Sequence, residues 1–167
     1  AGSGASGGAN VAGGAAGGGE TPSSGGGDVY VPQNWRANLD YGGEPVPYIV
    51  NKAISGVGDD VFVAGYVAPS LPEIGFIDRL TETGWVPFYE NSTGIRCLWA
   101  AEPSAVFAAN IDTGEIALTD GVAARTWTIG DTKIDAMFGF SADDVVAVGE
   151  AGTVFVYDGT AWASEPS

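Results

Sequence analysis

The chain has no histidine, one cysteine, one methionine and only six Lys and Arg against 21 Asp and Glu, which sets the formal net charge at −15 over 167 residues. Without histidine there is no Ser-His-Asp or Cys-His catalysis and no imidazole-ligated metal. A lone cysteine makes neither an internal disulfide nor a thiolate zinc site. Four Arg and two Lys, scattered along the sequence, cannot form the basic stripe that neutralises nucleic-acid phosphates, so no nucleic-acid partner is expected. The same shortage argues against an anionic membrane surface. No apolar run approaches the roughly 20 residues of a membrane-spanning helix. Nothing near Ala1 resembles a charged segment followed by an apolar one, so an export signal is expected to be absent or already removed.

Residues 1–27 are dominated by Gly, Ala and Ser and contain no aromatic residue. They have too little apolar surface to offset the entropy of ordering, which predicts a flexible tether: a plain tail, or a spacer holding a domain away from an anchor. Residues 28–167 have the length of one domain.

Within that domain the sequence repeats itself. One segment reads Ile54-Ser-Gly-Val-Gly-Asp-Asp60-Val-Phe-Val-Ala-Gly65 and another Phe138-Gly-Phe-Ser-Ala-Asp-Asp144-Val-Val-Ala-Val-Gly149. A third, Trp99-Ala-Ala-Glu-Pro-Ser-Ala105-Val-Phe-Ala-Ala-Asn110, keeps the spacing, with Asn110 where the others have a glycine. Gly and Asn both tolerate a left-handed backbone, which is the expected reason for that column. Each segment is followed by a second apolar run and then by a tryptophan, at 85, 127 and 162.

Units of about 40 residues, built from short apolar runs punctuated by Gly, Asp and Asn, predict four-stranded propeller blades rather than a helical solenoid. The repeats fall at about 54–93, 94–133 and 134–167. The runs Val61–Ala64 and Val145–Val148 are continuously apolar, as expected of inner strands covered on both faces. Asp120-Gly121 and Asp158-Gly159 supply turns into the last strands. The three tryptophans are suited to packing between blades. The expected fold is all-β, a β-propeller-like array of about three to four four-stranded antiparallel blades, as an open arc or a small propeller. Residues 28–53 carry two short runs, Val29–Val31 and Pro47–Val50, that could complete a fourth blade or lend edge strands. A sandwich of two sheets is the alternative architecture.

At these residues the chain resembles a family of β-propeller repeats found in secreted and lipid-anchored bacterial proteins. Its copies read roughly Trp-Gly-x-x-x-x-Asp-Val-Trp-Ala-Val-Gly and then Gly-Thr-Ile-x-x-Tyr-Asp-Gly-Thr-x-Trp. Phe138-Gly139, Asp144-Val145, Ala147-Val148-Gly149, Gly152-Thr153-Val154 and Tyr157-Asp158-Gly159-Thr160-x-Trp162 fall on that pattern. The resemblance implies an extracellular or cell-surface protein, with a lipid anchor upstream of this chain as one possibility, and leaves the activity open because propellers host unrelated functions.

The chemistry-bearing residues each have a structural reading. Asp59-Asp60 and Asp143-Asp144 recur at equivalent places and are read as turn-shaping residues. Calcium is the alternative, without the Asp-x-Asp-x-Asp-Gly loop that usually carries it. Asp158-Gly-Thr-Ala-Trp162 is similar to the Asp-box hairpin of sialidase-like propellers, but Arg36, Arg79, Arg96 and Arg125 occupy unrelated repeat positions. Cys97 is read as a small buried hydrophobe. No catalytic, cofactor-binding or metal-binding residue is assigned. The expected function is a non-catalytic extracellular propeller module that binds a protein or a glycan, or associates with itself through open sheet edges. The alternative is a carboxylate-dependent glycoside hydrolase of the sialidase-like propeller type, which needs two acids converging on a sugar bond. Trp35, Tyr41, Tyr66 and Tyr89 lie off the repeated core positions and are the candidate ligand-binding aromatics.

Overall fold

The computed structural model describes residues 48–68 and 74–165. Twelve strands follow one another: β1 (Tyr48–Val57), β2 (Asp60–Ala68), β3 (Ile74–Thr81), β4 (Gly84–Asn91), β5 (Ile95–Glu102), β6 (Ala105–Asn110), β7 (Glu115–Thr119), β8 (Ala124–Thr128), β9 (Ile134–Ser141), β10 (Asp144–Gly149), β11 (Val154–Tyr157) and β12 (Trp162–Glu165). A 3-10 turn at Glu150–Gly152 is the only helical piece among the described residues. The protein is all-β, with three four-stranded antiparallel sheets laid down in sequence order, β1–β4, β5–β8 and β9–β12. The Gly-rich segment 1–27 and the run Val29–Val31 lie outside the described residues. From Tyr48 onward the second expected run, Pro47–Val50, belongs to β1, so the first sheet begins at Tyr48 rather than at Ile54.

Each first hairpin closes through two residues, with Val57 opposite Asp60, Glu102 opposite Ala105 and Ser141 opposite Asp144. The column of Asp60, Ala105 and Asp144 is therefore a true structural equivalence. Each first strand also carries a bulge opposite the end of the second, at Lys52, Arg96 and Asp135. A bulge inserts one extra residue and sharpens the local twist. The two later sheets carry a second bulge near the hairpin, at Ala101 and Phe140, which β1 lacks. This shifts the alignment by one residue. Ile54 pairs with Val63, just as Leu98 pairs with Ala108 and Met137 with Ala147, so Ile54 matches Leu98 and Met137, not Trp99 and Phe138.

The glycine column has a different cause from the one expected. Gly149 is extended, with φ −150°, and Gly65 is not among the residues of positive φ. A Cβ at Gly65 would lie 1.8 Å from the Val50 carbonyl oxygen, and one at Gly149 would lie 2.2 Å from that of Lys133. Close approach of the bulged neighbour strand, rather than a left-handed turn, requires glycine there.

The sheets stack in series. β1 packs on β5 and β5 on β9, so the first strands lie innermost and the continuously apolar second strands lie one place out. Between the first two sheets, Phe62, Ala64 and Ile77 meet Leu98, Ala100, Val106 and Ala108. Between the second and third, Cys97, Phe107, Ala109 and Ile116 meet Met137, Val145, Ala147, Phe155 and Tyr157. The middle sheet is thus covered on both faces and Val106–Ala109 is wholly buried, which a two-layer sandwich does not produce. In β10 only Val145 and Ala147 are buried, while Val146 is half-buried and Val148 is exposed. Double coverage is expected for both apolar runs, but among the described residues the third sheet has a neighbouring sheet on one side only. The arrangement is a propeller-like arc that does not close.

Candidate functional site

At the outer hairpins the Asp-Gly turns repeat each other closely. The Asp120 carboxylate accepts from the amides of Val122 and Ala123, both at 2.8 Å, and Asp158 accepts from Thr160 and Ala161, both at 2.9 Å. Gly121 and Gly159 adopt φ 92° and 87°, which glycine supplies without steric cost. The amide of Ala123, then that of Val122, holds the Asp120 carboxyl below its ordinary range, and Ala161 then Thr160 do the same for Asp158. A lowered folded pKa means that the stabilisation is present above the unfolded value, about 3.9, and is lost as pH falls through the folded one. Replacing both aspartates with asparagine keeps the acceptor and removes the titration. Urea midpoints of this double variant should fall less than those of the parent between neutral pH and about pH 2.5; equal falls would contradict the assignment.

Three further acids are held by separate partners. Asp60 pairs with Arg79, whose Nε lies at 2.7 Å. Asp135 pairs with Arg96, Nε at 2.8 Å, and Asp112 with Lys133 at 3.0 Å. Arg125 donates to the Thr160 carbonyl at 2.8 Å and stacks on Trp127. Three described arginines therefore occupy three separate places, whereas a sialidase-like site gathers them. Among the described residues no group of three or more His, Cys, Asp or Glu side chains could hold a metal ion. No helix among them is long and apolar enough to cross a membrane.

Cys97 is buried between the second and third sheets, and its thiol donates to the Ile134 carbonyl at 3.6 Å. Burial pushes its pKa up to about 12. Thiolate, not thiol, is the reactive form. Ellman's reagent at pH 8 should therefore react with the native chain on the order of a thousandfold more slowly than with the unfolded chain. Comparable rates would place Cys97 at the surface.

Of the four candidate aromatics, Trp35 and Tyr41 lie outside the described residues. Tyr66 is half-buried at the end of β2, with the Lys52 ammonium 5.8 Å from its ring centroid. Tyr89 does not lie off the repeated positions. It pairs with Ile77 as Trp127 pairs with Ile116, and it packs against the core between the first two sheets. Burial, then the Glu115 carboxylate, pushes its phenol pKa up. Tyr66 and Tyr89 belong to one sheet, and neither lines the groove described below. Trp127 is correspondingly out of step with the other two tryptophans. Trp85 and Trp162 share a ladder place, opposite Leu80 and Tyr157, three residues removed from that of Trp127.

Trp127 and Trp162 do pack between blades, each 5.2 Å from the Tyr157 ring. The Trp162 indole N–H is buried without a hydrogen-bond partner. Beside them runs a groove of about 440 Å³, lined by Trp127, Thr128, Ile129, Phe155, Ala161, Trp162 and Ser164.

The larger feature is the outward face of the third sheet, which no single residue in the sequence singles out. Its central ladder pairs are Ala136 and Val148, Phe138 and Val146, Val148 and Val154, Val146 and Val156, all apolar, with Asp144 opposite Ser141 at the hairpin end and Glu165 opposite Val154 at the outer edge. Phe138 is 62% exposed, Val148 41% and the bulged Phe140 84%. At the first sheet Ile54 is 71% exposed, whereas its counterparts Leu98 and Met137, each covered by a preceding sheet, are 6% and 8% exposed. The signal was present in Val145–Val148, whose apolar residues alternate between both faces. No protein-family model and no curated protein matches the sequence.

Proposed function

We propose that this chain is a non-catalytic binding module of a secreted or cell-surface protein, of the propeller-repeat kind it resembles, acting through the outward face of its third sheet. The reading rests on one observation: Phe138, Val146, Val148, Val154 and Val156 form an apolar, uncovered face, while the same ladder positions in the second sheet are packed beneath a neighbour. Contiguous exposed apolar patches of this kind mark interaction surfaces. The acids described above serve turns and ion pairs, which supports binding over sugar hydrolysis, and the reading needs no metal or cofactor. A fluorescent apolar probe such as anilinonaphthalene sulfonate should bind the folded chain. Phe138→Asp should lower that signal several-fold without changing the far-ultraviolet circular dichroism. An unchanged signal would remove the basis of the reading.

The groove beside Trp127 and Trp162 favours a second reading, glycan binding. Two tryptophans beside Thr128 and Ser164 in one groove are residue types that suit a sugar ring, which offers C–H groups on one side and hydroxyls at its edge. Titration with neutral oligosaccharides should then quench tryptophan fluorescence in the parent and not in Thr128→Val. Quenching that persists in the variant would place the sugar elsewhere.

A further inference from the structure

The uncovered face has a counterpart inside the same molecule. On the second sheet Trp99, Phe107, Ala109, Ile116 and Leu118 occupy the ladder places that Phe138, Val146, Val148, Val154 and Val156 occupy on the third. The former set is covered, and what covers it is another four-stranded sheet of this repeat. The surface whose fit to such a face is demonstrated is therefore a further sheet of the same kind. Among the described residues every strand already belongs to one of the three sheets, so none is left to form another.

Resting on the reading of this face as an interaction surface, we propose that its partner is a second copy of this chain, presenting the same face across a two-fold axis. Self-complementary packing is the commonest way for identical chains to associate. Two untilted apolar sheets can lie about 10 Å apart with their strands offset by about 30°. A head-to-tail contact with the far side of the first sheet is disfavoured, because Val67, Phe76 and Asp78 on that side are already buried and, among the described residues there, Ile54 is the one large apolar side chain that is exposed. The third-sheet face carries Asp144 at its hairpin end and Glu165 at its outer edge and is apolar between them, so its centre is the place where chains of net charge −15 can meet. Repulsion between the rest of the two surfaces remains, and added salt should strengthen the association by screening it.

The size of the face sets the strength. Four strands about 4.8 Å apart and some six residues long cover roughly 300 Å² in projection. Contacts of that size belong to the weak, transient class, so the dimer should be in concentration-dependent equilibrium. Sedimentation equilibrium of the full chain from about 10 µM to about 1 mM spans that regime. The parent should move toward twice the chain mass, and Ile54→Asp should do the same. Phe138→Asp should weaken association at least about thirtyfold, and Val148→Asp should match it should the phenylalanine variant fold poorly. A parent monomeric at about 1 mM, or a Phe138→Asp variant dimerising like the parent, would overturn the proposal. So would loss of the dimer in Ile54→Asp, which would indicate head-to-tail packing. The probe experiment separates the two failures. A monomer whose probe binding depends on Phe138 refutes the second copy and leaves the interaction face standing, whereas a monomer whose probe binding ignores Phe138 refutes both.

Discussion

Phe107→Ala should destabilise the domain by about 3–5 kcal/mol, the usual range for emptying a buried aromatic site. Phe107 is fully buried in the middle of β6. Its ring meets Trp99, Tyr157 and Trp162 at centroid distances of 5.9, 5.7 and 6.3 Å, so one truncation loosens contacts reaching from β5 to β12. Against a total stability of about 5–15 kcal/mol for a domain, such a loss is a large fraction. The informative control is Val146→Ala, at the same ladder place one sheet later. Val146 is half-buried on the uncovered face, and its truncation should cost about 1 kcal/mol or less. Urea unfolding followed by tryptophan fluorescence reads both. A Phe107→Ala cost below about 1 kcal/mol would mean that the second and third sheets are not packed through this ring.

Gly65→Ala should cost about 3 kcal/mol or more, at the upper end of what overpacking does. The new methyl carbon would sit 1.8 Å from the Val50 carbonyl oxygen and 2.8 Å from its carbon. Both are backbone atoms held in the ladder, so no side chain can swing aside and β1 has to move off β2. Gly58→Ala provides the contrast. Gly58 has φ 58° with nothing within 4 Å of a Cβ, so the cost there is conformational only, about 1 kcal/mol. A thermal melt of both variants should put Gly65→Ala far below Gly58→Ala. Equal midpoints would show that the bulge at Lys52 yields freely and that space does not select the glycine.

These two sites also show where reading the sequence works and where it stops. The repeat was legible because the hairpin turns fix a constant spacing: the column of Asp60, Ala105 and Asp144 starts each second strand. Beyond the hairpin, bulges govern the register, and a bulge leaves no compositional mark. The extra residue at Ala101 and Phe140, missing from β1, moved Ile54 one place from its apparent partners. The fourth strands diverge further, because Phe88 is bulged in β4 and puts Tyr89 where β8 has Trp127. Tyr89 looked unattached to the repeat for that reason.

The candidate surface was legible in a different sense. Val-Val-Ala-Val in β10 is the pattern of a strand covered on both sides, like Val106–Ala109, and in the third sheet no described residue supplies one of those covers. Sequence shows that both faces are apolar, but only the packing order shows which face stays open. The groove beside Trp127 and Trp162 is still harder to anticipate, since it depends on β8 and β12 lying side by side across two sheets.

The stacking order itself is tested most directly by nuclear Overhauser contacts from the Trp99 ring in the full chain. That ring is placed so that a Cβ on Gly139 would lie 2.7 Å from its Cη2, and its centroid is 6.3 Å from that of Phe138. Ser55 Oγ, at the matching ladder place of β1, accepts from the Ala100 amide at 3.0 Å. The expected result is strong contacts from the Trp99 ring protons to the Gly139 α-protons, together with contacts from Ser55 to Ala100. Contacts from the Trp99 ring to Phe62 or Ile77 of the first sheet, with none to Gly139, would reverse the faces of the middle sheet and contradict the three-sheet arc.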